Sequence, residues 1–465
     1  MWQPVPIVGG AYSDETRPWS AQDCVNYLPV PAERPQGRSP SKLLTPPGLR
    51  LFAAVGTGPC RGARNVEGAL FVVSGNTLYR VHANGSSTSL GTIPGVGPVG
   101  MSHNQITGGN ELLITAGSSG YVFNTRTSTL SRITDPGYPG AVAVDYVDSY
   151  LVQVEPFGRF WFHSELADAT DYNTVDRYES EASPDRIVTL RVNQSEVVVF
   201  SERTIEFFDN VGAATNTFQS KRIVIQTGIA GRDAVAAIDN SLMWLGDDGI
   251  VYRLNGYQAV RMSTHPVEQE ISRCNIALAQ ATVWEDRGHK VWYLTFPDGL
   301  TWGYDVASGE WHRRQSYGLR RWRAVGLVRW QDRWLAGDYA NGNLYEVTWD
   351  EATENGAPLV SERISGVLHG EQNRLLVAGV EFVFDTGVQS HSDPDAFVDV
   401  RYSKDGGRNW SNWRRRSLGE IGEYAKRVKL LRLGQGRQWV FHVRVSSSMK
   451  RDLLAASILL EPCDR

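Results

Sequence analysis

AVAAIDNSLMWLGDDGIVYRLNGYQAVRM, residues 234–262, contains four short apolar runs that are separated by three polar turns. The turns lie at 239–240, 246–249 and 255–256 and consist of Asp, Asn and Gly. These residues suit tight hairpins, because the favoured hairpin turns need a positive φ at one or both central residues. Four runs joined by such turns predict one antiparallel sheet of four strands.

The same pattern of an apolar run, a turn containing Gly or Asp and an aromatic-rich run recurs along the chain. Its seven copies begin at Leu70, Leu112, Tyr150, Val197, Ser241, Lys290 and Arg333. The copies are roughly 38 to 49 residues apart, which is typical of one four-stranded blade per repeat. The sequence therefore predicts an all-β chain with a β-propeller of about seven blades. The blade count stays open by one, because a long polar segment follows the third copy.

Changes in composition divide the chain into three regions. Residues 1–58 are rich in proline, so we expect an extended arm that lies over a surface and does not fold alone. Residues 59–350 hold the propeller. The polar stretch DEATENGA, residues 350–357, predicts a linker. Alternating apolar runs in residues 351–465 are typical of a β-sandwich.

One segment interrupts the propeller. Residues 165–186, ELADATDYNTVDRYESEASPDR, are acidic and nearly free of aliphatic side chains. We expect a long loop that leaves the propeller and makes assembly contacts instead of packing inside a blade. We call residues 165–186 the excursion. Its candidate interface residues are Asp168, Asp171, Tyr172, Asp176, Arg177, Tyr178, Glu179 and Glu181.

Charge is unevenly distributed along the chain. The formal net charge is -4, which gives no reason to expect bulk binding of nucleic acid. Residues 396–465 contain fifteen Lys and Arg against seven Asp and Glu, a balance of +8 that leaves -12 for residues 1–395. The basic excess has two interpretations, a solvated sheet face or a surface that docks an acidic partner, and the solvated face is the commoner case.

A second basic stretch is rich in aromatic residues. WHRRQSYGLRRWR, residues 311–323, could stack on or pair with a partner. The alternative, which we favour, is two blade strands whose arginines alternate outward.

One motif resembles a sequence element of enzymes. Residues 403–410, SKDGGRNW, fit the Asp-box pattern S-x-D-x-G-x-x-W of sialidase propellers. The Asp and Gly of that box shape a hairpin turn, so the box is structural even there. A sialidase also needs arginines for a carboxylate, a Tyr nucleophile and an acidic partner at one site, and the sequence brings no such set together. A sialidase-like or carbohydrate-binding propeller remains the alternative function, and an intracellular propeller that binds other proteins is a third interpretation.

The sequence predicts no catalytic residue, no cofactor site and no metal site. Cys24, Cys60, Cys274 and Cys463 are far apart, so we expect free thiols in a reducing cytoplasm. The histidines are dispersed without a ligand spacing, and no phosphate-binding or dinucleotide motif is present. The N-terminus has no leader-like pattern and no apolar run reaches about 18 residues, so we expect a soluble protein.

Seven short motifs occur in an order that is characteristic of one family. They are NYLPV at 26–30, PGL at 47–49, GMSH at 100–103, DRYESEASPD at 176–185, TIEFF at 204–208, VGAAT at 211–215 and QTGIAG at 226–231. In this order and spacing the chain resembles the tail nozzle, or tail hub, proteins of short-tailed phages, also called packaged-DNA stabilisation proteins, of the Lederbergvirus type. The resemblance is specific from about residue 20 to 255 and looser beyond.

The resemblance implies a structural virion protein and not an enzyme. Members of the family form a homohexameric ring below the portal and its adaptor (head-to-tail connector) protein, extend the DNA channel and retain the packaged DNA. A tail needle or plug and tailspikes or tail fibres attach to the ring. The implied location is the virion tail, after assembly in the host cytoplasm. The acidic balance of residues 1–395 suggests the hypothesis that the channel wall repels DNA phosphates. The packaged DNA would then pass through the channel without sequence-specific binding.

Overall fold

The computed structural model describes residues 2–34, 39–105, 110–180, 183–213, 215–371, 373–387 and 396–462. Within these ranges the chain forms 43 β-strands, a short α-helix, α1 (His265–Ile271), and a 3₁₀ turn at Ile276–Leu278. The prediction of an all-β chain is therefore confirmed.

Six strands precede the first blade. They are β1 (Trp2–Val5), β2 (Tyr12–Ser13), β3 (Ala21–Val25), β4 (Leu28–Pro31), β5 (Ser41–Leu44) and β6 (Gly48–Ala54). The predicted arm is thus a series of short strands, and most of their partners lie far along the chain.

The first four blades are antiparallel sheets of four strands consecutive in sequence. Blade one comprises β7 (Cys60–Val66), β8 (Ala69–Ser74), β9 (Thr77–Val81) and β10 (Ser87–Thr92). Blade two comprises β11 (Gly100–His103), β12 (Glu111–Ala116), β13 (Ser119–Asn124) and β14 (Thr129–Arg132). Blade three comprises β15 (Ala143–Val147), β16 (Tyr150–Val154), β17 (Phe160–His163) and β18 (Arg177–Glu179). Blade four comprises β19 (Ile187–Asn193), β20 (Glu196–Ser201), β21 (Ile205–Asn210) and β22 (Phe218–Ile225).

The last three blades follow the same plan, except that blade seven takes its fourth strand from the N-terminal region. Blade five comprises β23 (Val235–Ile238), β24 (Ser241–Leu245), β25 (Val251–Asn255) and β26 (Gln258–Arg261). Blade six comprises β27 (Gln280–Asp286), β28 (His289–Thr295), β29 (Thr301–Asp305) and β30 (Glu310–Arg313). Blade seven comprises β31 (Ala324–Trp330), β32 (Arg333–Asp338), β33 (Asn343–Thr348) and β6.

The blades close into a ring. The first strands β7, β11, β15 and β19 contact one another in that order, β27 contacts β23 and β31, and β31 returns to β7. Pairing of β6 with β33, from Gly48↔Thr348 to Ala54↔Asn343, joins the beginning of the propeller to its end. Seven four-stranded blades in the described residues confirm the prediction of a propeller of about seven blades.

The C-terminal region is a β-sandwich of two sheets. The C-terminal region contributes β36 (Ser361–Ile364), β37 (Leu368–His369), β38 (Leu375–Phe384), β39 (Phe397–Ser403), β40 (Arg414–Ser417), β41 (Val428–Gly436), β42 (Gln438–Val445) and β43 (Leu453–Pro462). Two short strands before them, β34 (Thr353–Glu354) and β35 (Ala357–Pro358), instead extend the sheet of blade seven beyond β6. One sheet has the order β4-β5-β43-β38-β41, with β1 added to β43. The other has the order β3-β36-β42-β39-β40 and continues through β3 into blade six.

Buried hydrogen bonds hold the N-terminal strands in place. The guanidinium of the fully buried Arg363 donates to the carbonyl oxygens of Ile7 (2.5 Å), Gly10 (2.8 Å) and Asp23 (3.2 Å). The amide of Asn26 donates to the carbonyl of Val360 at 2.7 Å. The domain limits at 58 and 350 stay predictions, but strand pairing ties residues 2–54 to both the propeller and the sandwich.

The expectation of outward arginines in residues 311–323 is wrong. Arg314 is 1 % exposed and lies 3.3 Å from a carboxylate oxygen of the buried Glu354. Arg313 pairs with Asp23 on the neighbouring strand β3. Residues 314–323 connect blades six and seven, so the alternation of a strand does not set the direction of their side chains.

Candidate assembly surfaces

Part of the excursion is a blade strand. Arg177–Glu179 form β18, which pairs with β17 so that Tyr178 lies opposite Trp161. The two rings stack with centroids 4.4 Å apart. The expectation that the excursion stays outside the blades is therefore wrong for β18, because a fourth strand is needed to cover Trp161, which is fully buried.

Two of the eight predicted interface residues are buried. Tyr172 is 5 % exposed and packs against Tyr138 and Phe162, with ring centroids 4.8 and 5.8 Å away. Its hydroxyl donates to the carbonyl of Ala169 and accepts from Nε2 of Gln153, each at 2.9 Å. Burial is the main cause that raises the pKa of Tyr172 well above its usual value. Asp176 is also buried, so neither of these side chains is accessible to a partner.

Four other predicted residues remain accessible. Asp171 and Glu179 are exposed, whereas Asp168 and Arg177 are half-buried. Asp168 accepts from the backbone N and the hydroxyl of Thr170 at 2.8 and 2.7 Å, which shapes a local turn. Glu179 pairs with Arg159 at 3.2 Å, and an exposed pair of this kind adds little stability. Tyr178, on the strand next to β17, is half-buried, and Glu181 lies outside the described residues.

The excursion also presents apolar side chains that the sequence interpretation missed. Leu166 is 61 % exposed and Val175 is 66 % exposed. The acidic character of the segment dominates its sequence, and these two isolated residues form no periodic pattern. Their exposure makes them the stronger interface candidates, because contact cores are depleted of charged residues.

The sandwich carries a basic face that is reinforced by tryptophans. The guanidinium of Arg401 lies between the rings of Trp410 and Trp413, 4.9 and 4.4 Å from their centroids. The guanidinium of Arg444 also lies over the Trp413 ring, 4.3 Å from its centroid. We call Arg401, Trp410, Trp413 and Arg444 the Arg–Trp stack. Arg444 also pairs with Asp399 at 3.5 Å. Stacking fixes the direction of the Arg401 charge, which favours a defined contact with an acidic surface.

The Asp-box residues shape a turn, as expected. Asp405 accepts from the backbone N atoms of Arg408 and Asn409 at 3.1 and 2.9 Å, and the hydroxyl of Ser403 donates to it at 2.6 Å. Burial acts to raise the pKa of Asp405, but hydrogen bonds from Asn409 and Ser403 outweigh it and hold this pKa below its usual value. The box lies in the sandwich, between β39 and β40.

The described part of the chain holds no group of three or more His, Cys, Asp or Glu that could bind a metal ion. Cys24 and Cys60 are buried free thiols, Cys274 is a half-buried one, and Cys463 lies outside the described residues. Among the described residues no helix is both long enough and apolar enough to cross a membrane.

Family comparison finds one match for each half of this architecture. The family described as "Bacteriophage P22 Gp10, beta-propeller" matches residues 3–352. The family described as "Bacteriophage P22 Gp10, beta-sandwich" matches residues 361–461. A similar curated protein is the "Tail hub protein gp10" of Salmonella phage P22, which is 24 % identical over 503 residues and is matched over 99 % of each chain.

Solved structures with related geometry are more distant. Virginiamycin B lyase from Staphylococcus aureus has a TM-score of 0.45 at 9 % identity, covering 62 % of this chain and 94 % of that one. The computationally designed Ika8 protein has a TM-score of 0.40 at 12 % identity, covering 70 % of this chain and 100 % of that one. Scores of this size support no conclusion about function.

Proposed function

Because this chain belongs to the bacteriophage P22 Gp10 family, we propose that it is the tail hub of a short-tailed phage. Six copies form a ring below the portal and its adaptor protein and extend the DNA channel as a nozzle. The ring retains the packaged DNA, and a needle or plug and tailspikes or fibres attach to it. The single observation that carries this proposal is the match to a tail hub protein over 99 % of both chains.

The architecture supports a structural role. Strand β3 joins blade six to the sandwich, and β6 closes blade seven, so the N-terminal region ties both parts together. A stiff subunit of this kind suits a closed ring, in which each copy presents one surface to its neighbour and a different surface to the other neighbour.

The proposed role is structural and involves no catalysis. The Asp-box lies in the sandwich and its Asp405 is occupied by backbone and side-chain donors within one turn. Arg314, Tyr293 and Glu354 lie near one another, which superficially fits a glycosidase, but all three are buried between blades six and seven. A sialidase-like propeller has no observation in its favour beyond the box itself.

Electron cryo-microscopy tests the proposal. The purified protein is imaged alone and after mixing with a portal–adaptor complex of its own phage. We expect six-fold rings seated below the adaptor in the mixture. A protein that stays monomeric in both samples, with no density added to the adaptor, would contradict the tail-hub assignment of this chain. A portal–adaptor complex without added protein serves as the control.

A further inference from the structure

A cavity of about 420 Å³ lies on the axis of the propeller. Its walls come from the first strands of the blades, including β7, β11, β19, β27 and β31. Four arginines line it: Arg61 and Arg64 on β7, Arg191 on β19, and Arg321 before β31. We call this the channel cavity. Its volume is in the range of small-molecule sites.

None of the four arginines forms an ion pair in the part of the chain that the structure describes. Asp233 also lines the cavity, but its carboxylate pairs with Arg232 at 2.9 Å. The carboxylate of Asp145, whose charge acts on Arg64, already accepts from the backbone N atoms of Tyr146 and Val192 at 2.8 and 2.9 Å. The cavity wall is therefore positively charged.

Arg321 is the arginine of this cavity that most clearly lacks a partner among the described residues. It is 7 % exposed, and its side chain stacks over the ring of Tyr339 with 4.4 Å between guanidinium and centroid. Nε donates to the carbonyl of Trp322 at 3.2 Å, whereas one terminal nitrogen, Nη2, is buried and has no hydrogen-bond partner among the described residues. An unpaired buried donor on a charged group is costly, and native proteins leave few of them.

Other groups at the cavity provide further donors. Arg64 uses Nε toward Nδ1 of His103 at 3.4 Å, and its terminal nitrogens have no hydrogen bond to any described residue. Burial, followed by the charge of Arg64, lowers the pKa of His103, so this imidazole stays neutral near pH 7. Arg191 donates through Nη1 to the carbonyl of Leu190 at 2.7 Å.

The loop between blades one and two covers this site. Arg61 donates to the carbonyl oxygens of Ile93 and Gly97, each at 2.8 Å, and Arg232 donates to that of Pro98 at 3.3 Å. Arg61 on blade one and Arg232 just before blade five thus hold the same loop, whose residues 97–99 line the cavity. Burial of Arg321 strengthens its attraction for an anion, because charges interact more strongly away from bulk water.

From this geometry we propose that the channel cavity binds a small multivalent oxyanion. Arg321, Arg64 and Arg191 supply the charge-assisted hydrogen bonds, and Arg61 adds charge while it holds the covering loop. Guanidinium groups suit this task because their planar donors match phosphate and carboxylate oxygens. The occupant is either a phosphate compound or a polycarboxylate, since both present the same oxygens and charge.

Calorimetric titration of the full-length protein tests the proposal. The probes are sodium pyrophosphate and sodium citrate, with ionic strength held constant by sodium chloride. We expect saturable binding of one anion per chain for at least one probe. Binding of pyrophosphate alone identifies a phosphate ligand, and binding of citrate alone identifies a carboxylate ligand. Absence of saturable heat with both probes would overturn the proposal.

Two variants locate the binding. Arg321→Gln and Arg191→Gln should each weaken binding about tenfold, the effect of losing one charge-assisted hydrogen bond. The matched control is Arg159→Gln, which removes an exposed arginine of blade three. Its affinity should stay within about twofold, since distant exposed charges are screened. Equal weakening by all three substitutions would mean that net charge alone attracts the anion, against a site in the cavity. Circular dichroism checks that each variant folds. Arg191 is half-buried, so Arg191→Gln should disturb the fold less than Arg321→Gln.

Discussion

Single residues between blades six and seven show how burial changes the chemistry of a side chain. Burial lowers the pKa of His312 to about 3, with the charges of Arg314 and His289 acting in the same direction and Asp305 opposing them. Both ring nitrogens of His312 lack partners among the described residues. The neutral imidazole is therefore the form that the folded protein accommodates.

We predict that His312 makes the protein less stable in acid. The unfolded chain binds a proton near the ordinary histidine pKa of about 6.5, whereas the folded chain does not bind it until about pH 3. Between these values the unfolded state holds more protons, so stability falls as pH falls, by up to about 1.4 kcal/mol per pH unit. Urea unfolding from pH 6.5 to 4.5 measures this slope. His312→Gln should flatten it, and His82→Gln, at a partly exposed site, should leave it unchanged.

The spacing of residues in the sequence could not predict which side chains are buried between blades six and seven. WHRRQSYGLRRWR predicted outward arginines on strands, but the strand ends at Arg313 and the connection turns Arg314 inward to Glu354. Burial is the main cause that raises the pKa of Glu354. A single sequence contains no signal for which basic residue of such a run meets a buried carboxylate about forty residues later.

At the scale of strands, local patterns were predictable and distant pairings were not. The four runs of blade five lie within one short stretch, so their hairpins follow from turn chemistry. Strand β6 pairs with a strand almost three hundred residues away, and β18 is separated from β17 by the rest of the excursion. The sequence pattern predicts neither pairing, because hydrophobic alternation does not specify the partner of a strand.

We predict that β6 is essential for closing the propeller. Leu49 is fully buried against blade seven, whereas Leu51, on the same strand, is 46 % exposed. Leu49→Asp buries an unpaired charge and should lower the free energy of unfolding by about 3 kcal/mol or more. The matched control Leu51→Asp should change it by less than about 1 kcal/mol. Chemical denaturation measures both. Similar losses for the two variants would argue against the closing role of β6.

The excursion should contribute to assembly through its exposed apolar residues and not through its acidic residues as a group. Deletion of residues 168–181 would remove β18 and Tyr172, so loss of assembly would report only misfolding. Leu166→Asp and Val175→Asp should instead leave the unfolding midpoint near that of the parent and abolish ring formation on the adaptor. Val260→Asp, on strand β26, is the control. Rings that form normally with both excursion variants would remove this segment from the interface.

At the scale of the whole molecule, we expect the uneven charge along the chain to orient each copy in the proposed ring. Residues 396–465 carry +8 and residues 1–395 carry -12, and the Arg–Trp stack lies on the basic part. Complementary charges steer association and select orientation more than they add affinity. We infer that the basic sandwich face turns toward a protein partner, which leaves acidic propeller surface for the lumen.

An acidic lumen predicts weak interaction with the DNA that passes through it. Phosphate contacts by Lys and Arg dominate the affinity of proteins for DNA and make that affinity fall steeply with salt. Assembled rings should therefore retain no duplex DNA in a filter-binding assay at about 50 mM salt. A channel lined by Lys and Arg would bind DNA strongly at this low salt concentration. An Arg401→Glu variant should behave alike if the sandwich face points away from the DNA. Retention that disappears between low and moderate salt, together with a lumen lined mainly by Lys and Arg in the ring reconstruction, would contradict this arrangement.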